Sequence, residues 1–381
     1  MIHYSRLSRC VSPFRVFCTQ PQHMFPTTIV NINNTVTPTR NMSALMDAAK
    51  STLSENLGGL AQKVAPGSTQ FTLDDVPDQS GKVAVVTGAS EGIGYGVTHT
   101  LLSKNISKVF MLSVSREVAD KARDAVREEL GEDQASRTTW IQADLSDWKK
   151  IADVAEQIKR STDRLDILVG NAGRGIMTAE VTEDGVDRHM ALNHFGHVLL
   201  TSYLLPLLKS TAESGNTVRI SMQASNAHQN APKDTDFASL QSINQDVGPL
   251  AQYGRSKLAK ILYAKYLARR LSKEHPKILA NATHPGVVST AMSKRDIHEP
   301  YPLAGYGMSV AMEPFKKDQF EGALSTLYAS TVVDSSGSYI CPPAAFEEGS
   351  ELAQSEQLSE QLMKLTEEVL NDKMGTSVPF Y

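Results

Sequence analysis

A short aliphatic run followed by a glycine-rich turn constrains this fold more than any other feature of the sequence. Four of the five residues in 82–86 are aliphatic, as is typical of a strand that is buried on both faces. Residues 87–94 then read Thr-Gly-Ala-Ser-Glu-Gly-Ile-Gly, and a helical pattern follows them. The free amides at a helix N-terminus attract phosphate, and glycine lets the backbone approach it closely. A glycine cluster alone can be a tight turn, but its position between a strand and a helix predicts nucleotide binding.

Strands and helices alternate along the rest of the chain. Further strands are predicted at 109–114, 139–143, 165–169, 218–221 and 278–284, with helices at 117–130, after a Ser146 cap, and at 351–371. This alternation predicts the α/β class, as a single doubly wound Rossmann-type parallel sheet with helices on both faces.

Composition and charge exclude several classes of protein. The chain has 381 residues, of which 41% are hydrophobic, and a formal net charge of −4. The charge gives no reason to expect a nucleic-acid partner, and no apolar run approaches the roughly 18 residues of a transmembrane span. Cys10, Cys18 and Cys341 form neither a metal-binding spacing nor a disulfide framework, so we expect a reducing environment and no metal.

The first 46 residues contain arginines and many hydroxyl groups but no Asp or Glu. This composition is typical of a mitochondrial presequence. The alternatives are a disordered tail, or a true start at Met42 and a cytoplasmic protein. We divide the chain into a leader at 1–41, a predicted helix at 43–64 followed by a linker within 42–80, a folded domain with the nucleotide site at 81–372 and a tail at 373–381.

The end of the second predicted strand bears on the choice of nicotinamide cofactor. An acid about 20 residues after the glycines would favour NAD. Here the chain reads Val114-Ser115-Arg116, and a guanidinium can bind a 2′-phosphate with paired hydrogen bonds. Arg116 therefore favours NADP(H), although it can also be a solvated arginine, with Glu117 contacting a ribose.

Tyr253 and Lys257 are four residues apart and share one face if the segment is helical. A nearby ammonium favours the phenolate and lowers the pKa of a tyrosine, which suits acid–base catalysis. Taken alone, the pair could equally be a surface tyrosine beside a solvated lysine.

Together these motifs resemble the short-chain dehydrogenase/reductase family over residues 80–370. Within that family the pattern is most similar to fungal retinol-dehydrogenase-like enzymes and blue-light-induced mitochondrial oxidoreductases. One departure is Gly170, which stands where the family usually has the first Asn of an Asn-Asn-Ala-Gly segment. The resemblance assigns cofactor contacts to Gly88, Ser90, Gly92, Ile93, Gly94, Arg116, Asp144, Leu145, Asn171, Ala172, Gly173, Tyr253, Lys257, Pro285, Gly286, Val288 and Thr290.

The resemblance also assigns catalytic roles. Tyr253 exchanges a proton with the substrate oxygen, Lys257 assists it, and Asn193 supports the helix and a proton path. The catalytic serine is either Ser221 or Ser225, and alignment with relatives similar to retinol dehydrogenases favours Ser225. In that register, residues 226–252 are an insertion.

The resemblance implies an NADP-dependent oxidoreductase that transfers a hydride between nicotinamide and a carbonyl or alcohol. Residues 291–322 are rich in Met and Tyr and are expected to line the substrate site, which favours a hydrophobic substrate. The family often forms dimers or tetramers, so a homo-oligomer is compatible with the pattern. The alternatives are a non-enzymatic NADP(H)-responsive binding or regulatory protein, and an isomerase or dehydratase that uses the same Tyr–Lys pair.

Overall fold

A computed structural model describes residues 67–288, Asp296, Pro300, 317–375 and 377–380. The predicted leader 1–41, the predicted helix at 43–64, Thr290 and most of the predicted substrate segment 291–322 lie outside the described residues.

The described residues form one eight-stranded sheet with the strand order β3-β2-β1-β4-β5-β6-β7-β8. Strands β1 to β7 are parallel, and β8 pairs antiparallel with β7 at the edge. Strand β1 pairs with both β2 and β4. The chain adds β2 and β3 on one side of β1 and then β4 to β8 on its other side, so the strand order reverses next to β1. Ligands of open α/β sheets bind outside the strand carboxyl ends at such a point. The bounds are β1 Val83–Thr87, β2 Lys108–Ser113, β3 Thr138–Gln142, β4 Ile167–Gly170, β5 Val218–Gln223, β6 Ile278–Thr283, β7 Tyr339–Cys341 and β8 Ala345–Glu347.

Helices connect the strands and cover both faces of the sheet. A π-helical turn, Ala191–Phe195, joins α5 to α6, and short 3₁₀ turns occur at Gly67–Thr69, Leu73–Asp75 and Asn226–Asn230. None of the helices in the described part of the chain is long and apolar enough to cross a membrane. The bounds are α1 Gly92–Ser103, α2 Arg116–Leu130, α3 Glu132–Ser136, α4 Trp148–Ser161, α5 Arg188–Met190, α6 Gly196–Glu213, α7 Leu240–Asn244, α8 Pro249–Leu271, α9 Gln319–Thr331, α10 Glu351–Gln354 and α11 Glu356–Met374.

Strand β1 shows how the sheet builds two cores. Successive side chains of a strand point to opposite faces. Val83 and Val85 belong to the core formed with α4, α6, α8 and α11, whereas Ala84 and Val86 belong to the core formed with α1, α2 and α9. All five residues of β1 are buried, which explains the continuous aliphatic run. The predicted fold class is confirmed.

Three local features differ from the sequence-based expectations. The N-cap of α4 is Asp147 rather than Ser146, because the Ser146 hydroxyl donates to Asp144 Oδ1 at 2.6 Å and forms part of a turn. The predicted helix 351–371 is divided at Ser355, whose side chain caps α11. The β7–β8 hairpin was not predicted, because each strand has only three residues.

Two segments that read as polar connections pack against the cores. Phe71 and Val76, in the described part of the predicted linker, are buried in the core beneath α1. Phe237 and Ile243, within the predicted insertion 226–252, are fully buried in the opposite core. Each segment thus carries two large apolar side chains that anchor it.

Candidate active site

The glycine turn connects the end of β1 to the start of α1. Gly88 and Gly92 have φ values of +63° and +55°, a left-handed conformation that glycine adopts without strain. A Cβ on Gly94 would lie 2.0 Å from the Gly88 carbonyl oxygen, so the turn closes onto the helix too tightly for any side chain. Glu91, the N-cap of α1, provides no side-chain hydrogen bond to the first helical amides. The turn therefore presents backbone amides at a helix N-terminus, as a phosphate site requires.

Side chains from β2 and β3 extend this site beyond the turn. The hydroxyl groups of Ser90 and Ser113 are hydrogen-bonded at 2.7 Å, and the Trp140 indole donates to Ser113 at 3.0 Å. Arg116 is exposed at the start of α2, and its guanidinium carbon lies 4.6 Å from the centroid of the Trp140 ring. The Trp140 ring restrains the Arg116 guanidinium through a cation–π contact, and the N–H groups of this exposed side chain remain available to a ligand. Sequence reasoning missed Trp140, which β3 places beside Arg116.

Two acidic residues near this surface are engaged by neighbours. Glu117 forms an ion pair with Lys121 at 2.7 Å. Asp144 follows β3, and its Oδ1 accepts hydrogen bonds from the Ser146 amide and hydroxyl. Leu145 is buried, and its carbonyl contacts the backbone at Gly196, where a Cβ would lie only 2.0 Å away.

The segment after β4 lies between the glycine turn and the helix that carries the Tyr–Lys pair. The side-chain amide of Asn171 donates from Nδ2 to the Thr87 carbonyl at 2.9 Å, and the backbone amide of Ala172 donates to the Thr87 hydroxyl at 2.8 Å. A Cβ on Gly173 would lie 3.1 Å from Asn193 Oδ1 and 3.5 Å from Lys257 Nζ. The predicted cofactor residues 171–173 therefore contact both halves of the site.

Ser225, Tyr253 and Lys257 meet at the carboxyl end of β5. The side chains of Ser225 and Tyr253 are hydrogen-bonded. Lys257 Nζ lies 5.4 Å from the centroid of the Tyr253 ring and donates to the Gln223 carbonyl at 3.3 Å. Ser221 lies inside β5 and is fully buried, and its hydroxyl has no hydrogen-bond partner among the residues that the structure describes. Of the two candidate serines, the structure places Ser225 beside Tyr253.

Burial dominates the proton affinities in this cluster. It raises the pKa of Tyr253 to about 12, against the opposing hydrogen bond from Ser225 and with a further contribution from the Asp296 carboxylate. Burial also lowers the pKa of Lys257 to about 8. The sequence-based expectation of a lowered Tyr253 pKa is therefore wrong for this structure, because the partial burial of the phenol disfavours the phenolate.

Asn193 lies in the π-helical turn before α6 and ties three segments together. Its Oδ1 accepts from the Arg174 amide at 2.9 Å, and its Nδ2 donates to the Arg174 carbonyl at 3.1 Å and to Ser256 Oγ at 3.0 Å. This amide fixes the loop after β4 against α8, while Tyr253 and Lys257 project from the same helix.

The loop after β4 also carries an ion pair that the sequence did not suggest. Arg174 donates from Nε and Nη2 to the two oxygens of Asp296, each at 3.1 Å, and the Gly175 amide donates to Asp296 Oδ2 at 2.7 Å. Asp296 is 1% exposed. The pair unites residues 122 positions apart, so no local pattern could have predicted it.

The predicted segment after β6 is described only as far as Val288. Pro285 is buried, and Gly286 has a φ of +78°. Val288 forms a parallel bridge with Lys317 and packs against Gly322 of α9, where a Cβ would lie 2.6 Å from its Cγ2. Thr290 lies outside the described residues.

Two buried histidines have polar partners within the fold. The His194 ring contacts Thr366 Oγ1 at 2.8 Å, and His284 Nδ1 accepts from the Asn226 amide at 3.2 Å. Burial lowers the pKa of each to about 3. Within the described ranges, no group of three or more His, Cys, Asp or Glu residues could hold a metal ion.

Comparison with known proteins identifies the family to which this fold and site belong. The family model for short chain dehydrogenases matches residues 82–232. The protein named oxidoreductase bli-4, mitochondrial, of Neurospora crassa is 57% identical over 338 residues, which cover 87% of this chain and 82% of that protein. Retinol dehydrogenase 14 of Mus musculus is 34% identical and covers 68% of this chain and 75% of its own length. The chain belongs to the short-chain dehydrogenase/reductase family, whose members are oxidoreductases that use nicotinamide cofactors.

Solved structures show the same fold. The Pseudomonas aeruginosa RhlG/NADP complex is 25% identical, with a TM-score of 0.51, and covers 69% of this chain and 95% of that chain. L-Sorbose reductase of Gluconobacter frateurii, complexed with NADPH and L-sorbose, is 24% identical with a TM-score of 0.52, and covers 70% and 95% of the two chains.

Proposed function

We propose that this protein is an NADP(H)-dependent oxidoreductase that interconverts the carbonyl and alcohol forms of a hydrophobic substrate. The observation that carries this proposal is the meeting of Ser225, Tyr253 and Lys257 beside the glycine turn. These residues come from β5 and α8, and the turn comes from β1 and α1. The proposed phosphate site and the proposed acid–base group therefore lie at the same end of the sheet.

The cofactor residues fit a dinucleotide. The close approach of Gly94 to Gly88 leaves a cradle that a Cβ would fill, and Arg116 on Trp140 offers a guanidinium to a 2′-phosphate. When bound, the nicotinamide supplies the hydride chemistry. The residues that would hold NADP(H) are Gly88, Ser90, Gly92, Ile93, Gly94, Arg116, Asp144, Leu145, Asn171, Ala172, Gly173, Tyr253, Lys257, Pro285, Gly286, Val288 and Thr290.

The remaining chemistry belongs to the side chains around Tyr253. Its raised pKa keeps the phenol protonated at neutral pH, so Tyr253 can donate a proton to a carbonyl oxygen. Ser225 would donate a hydrogen bond to that oxygen and so stabilise the negative charge that develops on it. Lys257 would stabilise the phenolate that remains after the proton transfer. Asn193 would hold α8 and the loop after β4 together through its hydrogen bonds to Ser256 and Arg174.

A hydrophobic substrate is favoured by the composition of residues 291–322 and by the names of relatives. Retinol dehydrogenase 14 of Mus musculus and polyprenol dehydrogenase of Danio rerio, which is 30% identical, are both named for apolar alcohols. We extend that substrate class to this chain.

We also propose that the protein is mitochondrial. The support is the acid-free, arginine-bearing start and the printed name of the Neurospora crassa relative. Residues 1–46 fused to a fluorescent protein should direct it to mitochondria. A diffuse cytosolic signal would refute this assignment.

The function is tested by a cofactor-oxidation screen with NADPH and NADH in parallel. The carbonyl panel should contain retinal-like aldehydes, steroids, ketones and quinones. We expect NADPH to be oxidised with the more hydrophobic members. An NADH preference would contradict the role of Arg116. Tight NADPH binding without turnover of any carbonyl would instead favour a non-enzymatic NADP(H)-responsive protein.

A further inference from the structure

A second buried lysine, Lys260, lies beside the proposed site and has no part in the chemistry described above. It is three residues from Lys257 on α8, so both project from one face of the helix toward the carboxyl ends of the strands. Lys260 is 1% exposed and, among the described residues, forms no ion pair. Lysine is rarely buried completely without a partner, so its contacts require an explanation.

The Lys260 ammonium is surrounded by acceptors from the segment after β4. Its Nζ donates to the Gly170 carbonyl at 2.7 Å and lies 3.4 Å from the Ala172 carbonyl. These two carbonyls flank Asn171, whose amide holds the glycine turn at Thr87. Burial and the nearby charge of Lys257 lower the pKa of Lys260 well below its usual value. The side-chain nitrogen has at least two N–H donors in either protonation state, so it can donate to both carbonyls at once.

The third acceptor is His197 on α6. Its Nδ1 lies 3.2 Å from the Leu192 carbonyl, which assigns the ring proton to Nδ1 and leaves Nε2 as an acceptor. Nε2 lies 3.5 Å from Lys260 Nζ and 3.1 Å from Thr87 Oγ1. Burial, with the charge of Lys260, lowers the pKa of His197 well below its usual value, so the ring stays neutral and accepts.

Position 170 is a glycine and provides no side chain for polar contacts. A Cβ there would lie 2.5 Å from Met222 Sδ and 3.0 Å from His197 Cδ2, so a side chain does not fit this packing. Gly170 stands where the family usually has an asparagine. In this chain the Gly170 carbonyl accepts a hydrogen bond from a lysine side chain 90 residues further along.

We propose that Lys260 is a positioning residue that holds the Gly170 and Ala172 carbonyls and thereby fixes residues 171–173 for NADP(H) binding. Lys260 does not touch the reacting atoms and acts through this segment. The inference rests on the proposed function, since it assumes that residues 171–173 contact the cofactor. It predicts that loss of the ammonium weakens cofactor binding more than it slows turnover.

The test compares Lys260→Met, which keeps the length of the side chain but has no donor, with Lys260→Gln, which keeps a shorter neutral donor. Lys265→Met is the matched control, because Lys265 is on the same helix beside Phe346 and away from the site. NADPH dissociation constants are measured by fluorescence titration on each full-length variant. The folded state is checked by thermal melting, and kcat and the cofactor KM are measured on a substrate found in the screen.

We expect Lys260→Met to raise the NADPH Kd and the cofactor KM about tenfold with a smaller change in kcat. Lys260→Gln should raise the NADPH Kd about threefold, and Lys265→Met should match the parent. Parent-like NADPH binding by either folded Lys260 variant, or equal weakening by both, would overturn the proposal. Failure of both to fold would also overturn it, since Lys260 would then serve only stability. Failure of the parent to bind NADPH would refute the proposed function itself.

Discussion

Replacing Gly94 with alanine places a methyl group inside the glycine turn. The new Cβ would lie 2.0 Å from the Gly88 carbonyl oxygen and 2.6 Å from Asn171 Nδ2. The first of these distances is about 1.5 Å short of an ordinary van der Waals separation. Overpacking of this kind lowers the free energy of unfolding by about 1–3 kcal/mol. The higher helix propensity of alanine offsets about 1 kcal/mol of that loss. The turn must open, because the clash is with backbone.

Opening the turn displaces the amides that are proposed to bind phosphate. One hydrogen bond to a charged group contributes about 1.5–3 kcal/mol, so its loss should raise the NADPH Kd about ten- to a hundredfold. The assay is fluorescence titration with NADPH, together with a thermal melt in which Gly94→Ala loses a few degrees at most. Gly94→Ala with the NADPH Kd of the parent would refute the assignment of this turn.

Gly96→Ala is the matched control for destabilisation without a direct effect on the turn. Its Cβ would lie 2.4 Å from the Gln319 carbonyl oxygen, which belongs to α9. We expect a comparable fall in melting temperature but an NADPH Kd within about threefold of the parent. A loss of NADPH affinity as large as that of Gly94→Ala would show that the effect follows from stability alone.

Further predictions concern cofactor choice, the oxyanion contact and pH dependence. Arg116→Ala should raise the NADPH Kd about ten- to a hundredfold and leave the NADH Kd nearly unchanged, and equal losses would contradict the 2′-phosphate role. Ser225→Ala should lower kcat about 10²- to 10³-fold with little change in NADPH affinity, as measured by steady-state kinetics and titration; a kcat near that of the parent would exclude the contact. The Asp296 carboxylate raises the Tyr253 pKa, so Asp296→Asn should move the alkaline fall of carbonyl reduction to lower pH. Arg174→Met, which removes the guanidinium that forms an ion pair with that carboxylate, should move it to higher pH, and shifts of the same sign would refute this electrostatic account.

The sequence predicted the elements that depend on local pattern. Strands β1 and β4 are continuous aliphatic runs because both of their faces are buried, and their positions were predicted within about two residues. The β7–β8 hairpin was missed because strands of three residues carry too little periodicity. The start of α4 was misplaced because Ser146 and Asp147 are both acceptable caps, and the turn at Asp144 decides between them.

For the candidate site, motif spacing predicted which segments matter but not how they are connected. Tyr253 and Lys257 could be paired from their spacing, because a helix places them on one face. The Trp140 contact with Arg116 and the Asp296 contact with Arg174 depend on tertiary packing between distant segments. The Tyr253 pKa was predicted in the wrong direction because spacing shows the nearby charge and not the burial.

The central claim, that Tyr253 is the proton donor of a nicotinamide-dependent oxidoreductase, is tested most directly by Tyr253→Phe. This change removes one hydroxyl and keeps the ring beside Lys257. NADPH affinity and turnover of the best carbonyl in the screen are measured on the same preparation. We predict an NADPH Kd within about threefold of the parent and a kcat lowered at least 10²-fold, the range that positioned acid–base groups contribute. A folded Tyr253→Phe variant that reduces the carbonyl at the parent rate would contradict the claim.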